Sequence, residues 1–471
     1  MLPGLRGQSI LANRDDSLAG HCKKNFCTPD ATVPDVTGGA LSGCKESHCH
    51  GESHDAGKTE DYDLIIVGAG PSGLFCAINC MQKGKKILVL EKESSPGHKL
   101  LISGSGRCNI THDGDMLAFL DHFGDHGKAR FLRPALLSFS NRDLISFFGE
   151  RGLGMVREKG DKIFPETMQA ADVLNILIEQ CRAKGVGIRC DQVVRSIART
   201  ADGFLVLGES SGFRCHLLVI ATGGCSYPAT GSSGDGHRFA ALLGHRIVEI
   251  GPALTPLLIK DYPFSDLAGL SFPDVTVSLY RQGKVGEHRG DVLFTHQGLS
   301  GPGILDLSRN IRAGDVLKLS FVPEDKREAL EEWLIDRARQ NGGQTLLSAL
   351  ANLPHSVPLS PRLMKRILKI SGMAEGLHLA QMTREMRKCL IDNLTGLPMF
   401  VSSLCGLNTA MVTRGGVDTK EVNPKTMQSR LVKGLYLVGE VLDVDGDTGG
   451  YNLQAAFSTA MLAARSIRSN L

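Results

Sequence analysis

The stretch that most constrains this chain is Gly68-Ala69-Gly70-Pro71-Ser72-Gly73. It follows an apolar run, Asp61–Val67, that reads as a buried strand. A helical run, Leu74–Lys83, comes after it, then a second apolar strand at Lys86–Leu90. Strand, glycine turn, helix and strand within about thirty residues make the βαβ unit of a dinucleotide site. The first glycine permits the tight turn. The second lets a pyrophosphate approach the backbone, and the third lets the helix lie close on the strand. Pro71 and Ser72 open the helix, whose free N–H groups and positive dipole end suit phosphate. Glu91, followed by Lys92, ends the second strand, where a carboxylate accepts ribose hydroxyls. Leu64–Gln82 is also the longest uncharged, apolar-leaning run, but the glycine turn in its middle argues against a membrane span.

The 471 residues predict about three domains. A net charge of +3 is too balanced to argue for nucleic acid or an acidic membrane surface as partner. The 13 cysteines and the lack of a signal-peptide core point to reduced thiols in a cytoplasmic setting. Residues 1–58 read as a disordered extension holding Cys22, Cys27, Cys44 and Cys49 with His21, His48, His50 and His54. Each cysteine pair encloses four residues, not the usual two of a zinc site, so no metal centre is assigned. Early Arg6 and Arg14 suit organelle import, whereas Asp15 and Asp16 oppose it.

Beyond the extension, residues 59–250 read as the first part of a nucleotide domain. Helices are expected at 131–150 and 166–184, short strands over 186–220, and a strand at His216–Ala221. Residues 251–326 alternate apolar and polar, as in Val275-Thr276-Val277-Ser278-Leu279, and predict an antiparallel barrel to which 396–420 returns. Residues 327–395 have helical periodicity and predict a helical insert, and 421–471 closes the nucleotide domain.

Two later segments extend the nucleotide reading. Ala221-Thr222-Gly223-Gly224 ends the 216–221 strand. Gly439-Glu440 follows the strand at 434–438, with Asp443 next and then Gly449-Gly450-Tyr451-Asn452-Leu453-Gln454 opening the last helix. A chain that returns to its nucleotide fold at its own end wraps a long, two-part cofactor. The last helix start directs N–H groups at the carbonyl edge of a flavin, where charge gathers on reduction.

The segment Gly97-His98-Lys99-Leu100-Leu101-Ile102-Ser103-Gly104-Ser105-Gly106-Arg107-Cys108-Asn109-Ile110-Thr111-His112 resembles the GRCN signature of the HI0933-like flavoproteins, a family also labelled YhiN-, BaiN- or aminoacetone oxidase-like. The likeness runs from about Asp61 to the end. It takes in Thr222–Gly236, Leu293–Pro302, Thr413–Val417 and Gly439–Asp443. Ser105 stands where the family usually has Gly, and His112 where it usually has Asn.

The resemblance implies an α/β fold: a Rossmann-like FAD domain with an inserted barrel-like domain and a helical insert. It implies FAD as cofactor, lying along Gly68, Gly70, Gly73, Glu91, Lys99, Arg107, Cys108, Val194, Thr222, Gly223, Gly439, Glu440 and the 449–454 turn. The small residues Ser103, Gly104 and Gly106 present backbone N–H groups to the ring. It also implies reduction of conjugated C=C bonds in small molecules. With no second GxGxxG, NADH or NADPH would dock only transiently as reductant.

His296, in Phe294-Thr295-His296-Gln297-Gly298, is the acid/base candidate. Its imidazole titrates near working pH, and glycines 298, 301 and 303 suggest close approach to a ligand. Arg414, before Gly415-Gly416, is a candidate for a substrate carboxylate or flavin edge, with a solvated Arg the plain alternative. Tyr227 and His237 flank another glycine-rich loop. Cys108 lacks a CxxC partner and is expected to pack as a small hydrophobe. Two other activities stay open: an amine oxidase releasing hydrogen peroxide, and an FAD-containing RNA- or partner-binding module. The module would use Arg362, Lys365, Arg366, Lys369, Arg384, Arg387 and Lys388, although such spacing is ordinarily a solvated helix face.

Overall fold

The computed structural model describes residues 59–209 and 211–471. The cysteine- and histidine-rich segment 1–58 lies outside them.

The apolar run Glu60–Val67 is strand β1, and its last four residues are fully enclosed. Helix α1 (Pro71–Cys80) starts at a proline whose fixed φ suits the first turn. Strand β2 (Ile87–Leu90) pairs parallel with β1, Val67 opposite Leu90. Helix α2 (His98–Ile102) precedes a small sheet, β3 (Thr111–His112), β4 (Met155–Glu158) and β5 (Lys162–Pro165), ordered β3-β5-β4. The helix expected at 131–150 is two, α3 (His126–Ser138) and α4 (Asn141–Gly149). Ser140 breaks the run by capping α4 in a reciprocal box with Asp143. Helix α5 (Ala170–Ala183) leads to β6 (Gly187–Arg189), the β7–β8 hairpin (Ser196–Thr200, Gly203–Leu207) and β9 (Gly212–Ile220).

These strands form one seven-stranded sheet in the order β6-β2-β1-β9-β8-β7. Strand β9 pairs parallel with β1 along one side, from Phe213 to Ile220. On its other side the hairpin occupies its beginning and a late strand its end.

After α6 (Asp235–Leu242) and β10 (Ile247–Ala253), six strands close an antiparallel barrel. They are β11 (Leu257–Ile259), β12 (Ser271–Tyr280), β13 (Lys284–Phe294), β14 (Gly298–Ser300), β15 (Val316–Ser320) and β16 (Leu397–Leu404). Short helix α7 (Pro302–Leu305) follows β14. Between β15 and β16 lie four helices: α8 (Arg327–Asn341), α9 (Leu346–Leu350), α10 (Pro361–Ile370) and α11 (Arg384–Gly396). Of the returning strands only β16 joins the barrel. Strand β17 (Val412–Val417) pairs with β10 instead. The chain then adds β18 (Leu435–Leu437), the late strand on β9, and ends in α12 (Tyr451–Arg468).

One hydrophobic core lies around the seven-stranded sheet and a second joins the barrel to the helical insert. No helix among the described residues is long and apolar enough to cross a membrane. The second core centres on Phe294, fully buried and edge-on to Phe264 and Phe272 at 5.2 Å each. Phe294→Ala should cost about 3–5 kcal/mol of stability, read as a lower urea midpoint with the flavin band as a separate probe of the nucleotide domain.

Candidate functional site: a dinucleotide cleft at the carboxyl ends of three parallel strands

Strands β1, β9 and β18 run parallel and end at one edge of the sheet. The turn after β1 cannot tolerate side chains. A Cβ on Gly68, whose φ is +106°, would stand 2.5 Å from the Ala221 carbonyl oxygen, and one on Gly73 would stand 2.0 Å from the Gly68 oxygen. Gly70 has nothing within 4 Å of its would-be Cβ, so its open side faces the cleft. No side chain caps α1 and no acid lies in its first turn, which leaves its N–H groups for an anion. Glu91, at the end of β2, accepts from Ala69 N at 2.9 Å and Glu93 N at 3.0 Å, and its carboxylate borders the cleft.

The cleft has a volume of about 980 Å³, at the top of the range for ligand pockets. The residues that line it fall into two groups. At one end lie Gly68, Gly70, Pro71, Ser72, Glu91, Lys92 and Val194. Toward the other lie Ser103, Gly104, Arg107, Gly449, Gly450, Asn452 and Leu453, with Lys99, Thr222, Gly223, Gly439 and Glu440 also on the wall. Lys92 pairs with Asp235 at 2.8 Å. Lys99 pairs with Glu440 at 2.7 Å, and Glu440 also accepts from Thr413 N at 2.9 Å and from Ser226. This network ties α2 to β17 behind the wall.

Two features fit FAD. Thr222 Oγ1 is buried on the wall without a hydrogen-bond partner among the described residues. Helix α12 also starts without a side-chain cap, from Gly449 at φ +126° and Gly450 at φ +97°. Turned to satisfy its neighbours, the Asn109 amide accepts from Gly450 N at 3.1 Å, which leaves the next N–H groups of α12 free. The adenosine half would rest on Glu91, the pyrophosphate on α1, and the flavin carbonyl edge on α12.

The turn before α12 is fixed by charge. Lys128 of α3 bridges Asp443 at 2.8 Å and Asp445 at 2.9 Å. Arg309, just beyond α7, meets Asp445 at 3.3 Å and Asp447 at 2.6 Å, and Asp447 also meets His122 at 3.0 Å. The His122 ring stacks on Tyr451 at 4.1 Å, with His112 on it at 5.1 Å. Asp306 accepts from Thr448 N at 2.6 Å and lies 3.3 Å from His288. The acid run 443–447 is visible in the sequence, but its partners come from two distant segments, around 122–128 and at Arg309, and give no local signal.

Several expected residues lie elsewhere. His296 is exposed at the tip between β13 and β14, away from the cleft. Thr295 and Gly298 close that turn on each other, which pushes 296 and 297 into solvent. The nearby glycines serve strand packing: a Cβ on Gly298 would stand 2.0 Å from the Leu257 oxygen, and one on Gly301 2.5 Å from the Asp291 oxygen. Arg414 lies over Gly251 and donates to the Arg309 carbonyl at 3.0 Å, outside the cleft. Cys108 is fully buried, and desolvation pushes its thiol up to about 12. Its neighbour Gly106 and the third glycine, Gly73, also stay off the wall. Asp443, Tyr451 and Gln454 support the α12 turn from behind, with Gln454 accepting from Thr111 at 2.7 Å. His237 is buried and faces Cys225 at 3.5 Å, whereas Tyr227 borders the cleft. Ser105 holds φ +59°, a glycine-like conformation, at the position where the family usually has Gly.

Three of the seven basic residues singled out in the helical insert are held in ion pairs. Arg366 pairs with Asp266 at 2.6 Å, Lys365 with Glu375 at 2.9 Å and Arg387 with Glu331 at 3.2 Å, and Arg362 donates to the Asp266 carbonyl.

A glycine turn on a parallel sheet, a ribose-side carboxylate and a second uncapped helix start define a two-part Rossmann flavoenzyme. The chain belongs to the HI0933-like family, matching the HI0933-like protein Rossmann domain over residues 62–466. It is an FAD-dependent oxidoreductase. It is 32% identical over 415 residues to the ribosomal RNA dihydrouridine synthase of Escherichia coli (strain K12), covering 87% of this chain and 98% of that one. It is 30% identical over 412 residues to the 3-dehydro-bile acid delta(4,6)-reductase of Clostridium scindens, covering 85% and 97%. A ribosomal RNA dihydrouridine synthase of Haemophilus influenzae is 31% identical over 409 residues, covering 86% and 98%.

Two outcomes are expected of this site. Glu91→Ala removes the acceptor of two backbone N–H groups and the ribose-side carboxylate, and should weaken FAD binding at least about tenfold, measured by titrating apoprotein. The hydrogen bond to Asp306 raises His288 above the ordinary imidazole value of 6.5, so its stabilisation is full below 6.5 and is lost as pH rises through the raised value. The melting difference between wild type and His288→Gln should therefore be about 2 °C at pH 6 and vanish by pH 9.

Proposed function

We propose that this enzyme saturates a carbon–carbon double bond conjugated to a carbonyl. The observation that carries the reading is the flavin end of the cleft. There the α12 turn faces a wall from the barrel side formed by Leu293, Ser300, Gly301, Pro302 and Leu305. An unsaturated ring can lie between them. Ser300 is the hydroxyl on that wall, unpaired among the described residues, and it would polarise the carbonyl of the substrate. The apolar neighbours exclude water from the face opposite the helix.

The names of the relatives support the same chemistry from two directions. Dihydrouridine is uridine whose C5=C6 bond, conjugated to C4=O, has been saturated. A 3-dehydro steroid with Δ4,6 unsaturation is a conjugated ketone of the same type. FAD, when reduced and bound, supplies the hydride for the β-carbon. The chain supplies position, carbonyl polarisation and access for a proton. With His296 at a solvent-exposed tip, the α-carbon proton would come from water at the open mouth. NADH or NADPH is the proposed source of the electrons, docking transiently because the chain has one phosphate-binding glycine turn.

Full-length protein carrying FAD, held anaerobic, should lose its flavin absorbance on adding NADPH or NADH. The band should return, with saturation of the double bond, when a 3-oxo-4-ene steroid or a uridine-containing ribosomal RNA fragment is added. A reduced flavin that ignores both substrates, but is formed by amines and reoxidised by oxygen with release of peroxide, would replace this reading with an oxidase.

A further inference from the structure

The mouth of the cleft carries a cluster of cations that the fold does not fully neutralise. Strand β3 pairs with β5, Thr111 opposite Ile163 and His112 opposite Lys162. The same β3 segment meets the α12 turn, because a Cβ on Gly450 would stand 2.4 Å from the Thr111 oxygen. Residues pointing into the cleft from β5 therefore stand at its flavin end, remote from the α1 phosphate site. Alternation along β5 places Lys162 and Phe164 on one face, and both border the cleft. Arg107 lies across Phe164, with its guanidinium carbon 4.8 Å from the ring centre.

The bonds these cations make leave them free for a ligand. Arg107 spends one N–H, Nε, on the Gly104 carbonyl at 3.3 Å, and its forked terminal N–H groups have no carboxylate partner. Lys162 has no ion pair among the described residues. Lys159, on the same rim, meets Asp291 only at 3.4 Å and is largely exposed. Arg157, in contrast, is held by Asp113 and Asp161 and is off the wall. Among the described residues that line the cleft on this rim Glu158 is the carboxylate, Asp291 stands outside the lining, and Asp447 further in is already taken by Arg309 and His122. Stacking on Phe164 fixes the plane of Arg107 before a ligand arrives, which lowers the ordering cost of binding.

We propose that Arg107 and Lys162, with Lys159 at the rim, form a substrate-anion cradle that holds an oxyanion, phosphate or carboxylate, borne by the molecule whose double bond is reduced. The identity of the bound molecule as substrate rests on the reading above; the anion site itself does not. The cradle would fix one end of the substrate while its unsaturated ring reaches the α12 turn.

The test uses oxidised, FAD-loaded full-length protein and the shift of its visible flavin spectrum, so it needs no turnover. Four probes are titrated: a 3-oxo-4-ene steroid carboxylate, its methyl ester, hexauridylate, and the same hexamer with an uncharged methylphosphonate backbone. Wild type should bind at least one charged probe more tightly than its neutral twin. Whichever pair responds identifies the source of the oxyanion. Arg107→Gln combined with Lys162→Gln should weaken the charged probe about tenfold and leave the neutral one unchanged. Arg107→Lys should fall between, keeping charge but losing the fork and the stacked face. If the double variant does not retain its flavin, Arg107→Lys and Lys162→Gln singly carry the same comparison. Equal binding of charged and neutral twins by wild type, no response to any probe, or a preference that survives both substitutions would overturn the cradle. Preferential binding of a charged probe that is never reduced would keep the cradle and remove the reductase reading.

Discussion

Three parallel strands ending at one edge of a sheet set the conditions for everything else in this structure. The carboxyl ends of β1, β9 and β18 lie side by side, so the turns that follow them must share one crevice. Those turns are the 68–73 glycine loop, the 221–224 segment and the 439–450 strap. Gly68 and the Ala221 carbonyl lie so close that a side chain at 68 would stand 2.5 Å from its oxygen. A cofactor lying on α1 is therefore also within reach of segments about 150 and 370 residues further along the chain, by the numbering of Thr222 and Gly439.

The strap from Asp443 to Thr448 is held by ion pairs rather than by apolar packing. Three aspartates there meet Lys128 and Arg309, whose side chains are mostly enclosed. Removing such charges from water is costly, and a buried network of this kind is weak evidence for stability alone. Its physical value lies in direction. Asp445 and Asp447 each have two charged partners and Asp443 shares Lys128, so the strap has few alternative arrangements, and Gly449 and Gly450 are delivered to one place. Arg309 comes from the barrel side, so the same pairs also fix the barrel wall against the start of α12.

The nucleotide half was legible because its constraints are local. The glycine turn, Glu91 and the apolar strands occupy one βαβ unit, and each residue type there has a single steric or polar reason. The barrel was legible as alternation, although β17 left it for β10, a pairing that no residue in 412–417 announces. The position of His296 off the cleft has a definite origin. Glycine marks close approach, and the sequence does not say to what: at Gly68 the requirement serves the cleft, whereas at Gly298 and Gly301 it serves neighbouring strands of the barrel. The helical break at Ser140 was readable, since Ser and Asp three residues apart form a capping box. The clamp on the strap was not, because Lys128, Arg309 and His122 meet it only through the tertiary fold.

The same division separates the cofactor side of the cleft from the rest of its wall. The groups that would hold FAD belong to the sheet edge, and the packing there tolerates little change. The other residues on the wall come from elsewhere: Ser300 from the barrel, Pro302 from α7, Arg107 from the loop after α2, Lys162 from the small sheet. None of them belongs to the seven-stranded sheet, so on the proposed reading substitution at those positions would alter what enters the cleft. On the proposed reading, reaction type would follow from the sheet edge and substrate identity from the rim, in keeping with relatives about 30% identical over nearly their whole length that bear the names of a ribosomal RNA enzyme and a bile-acid enzyme.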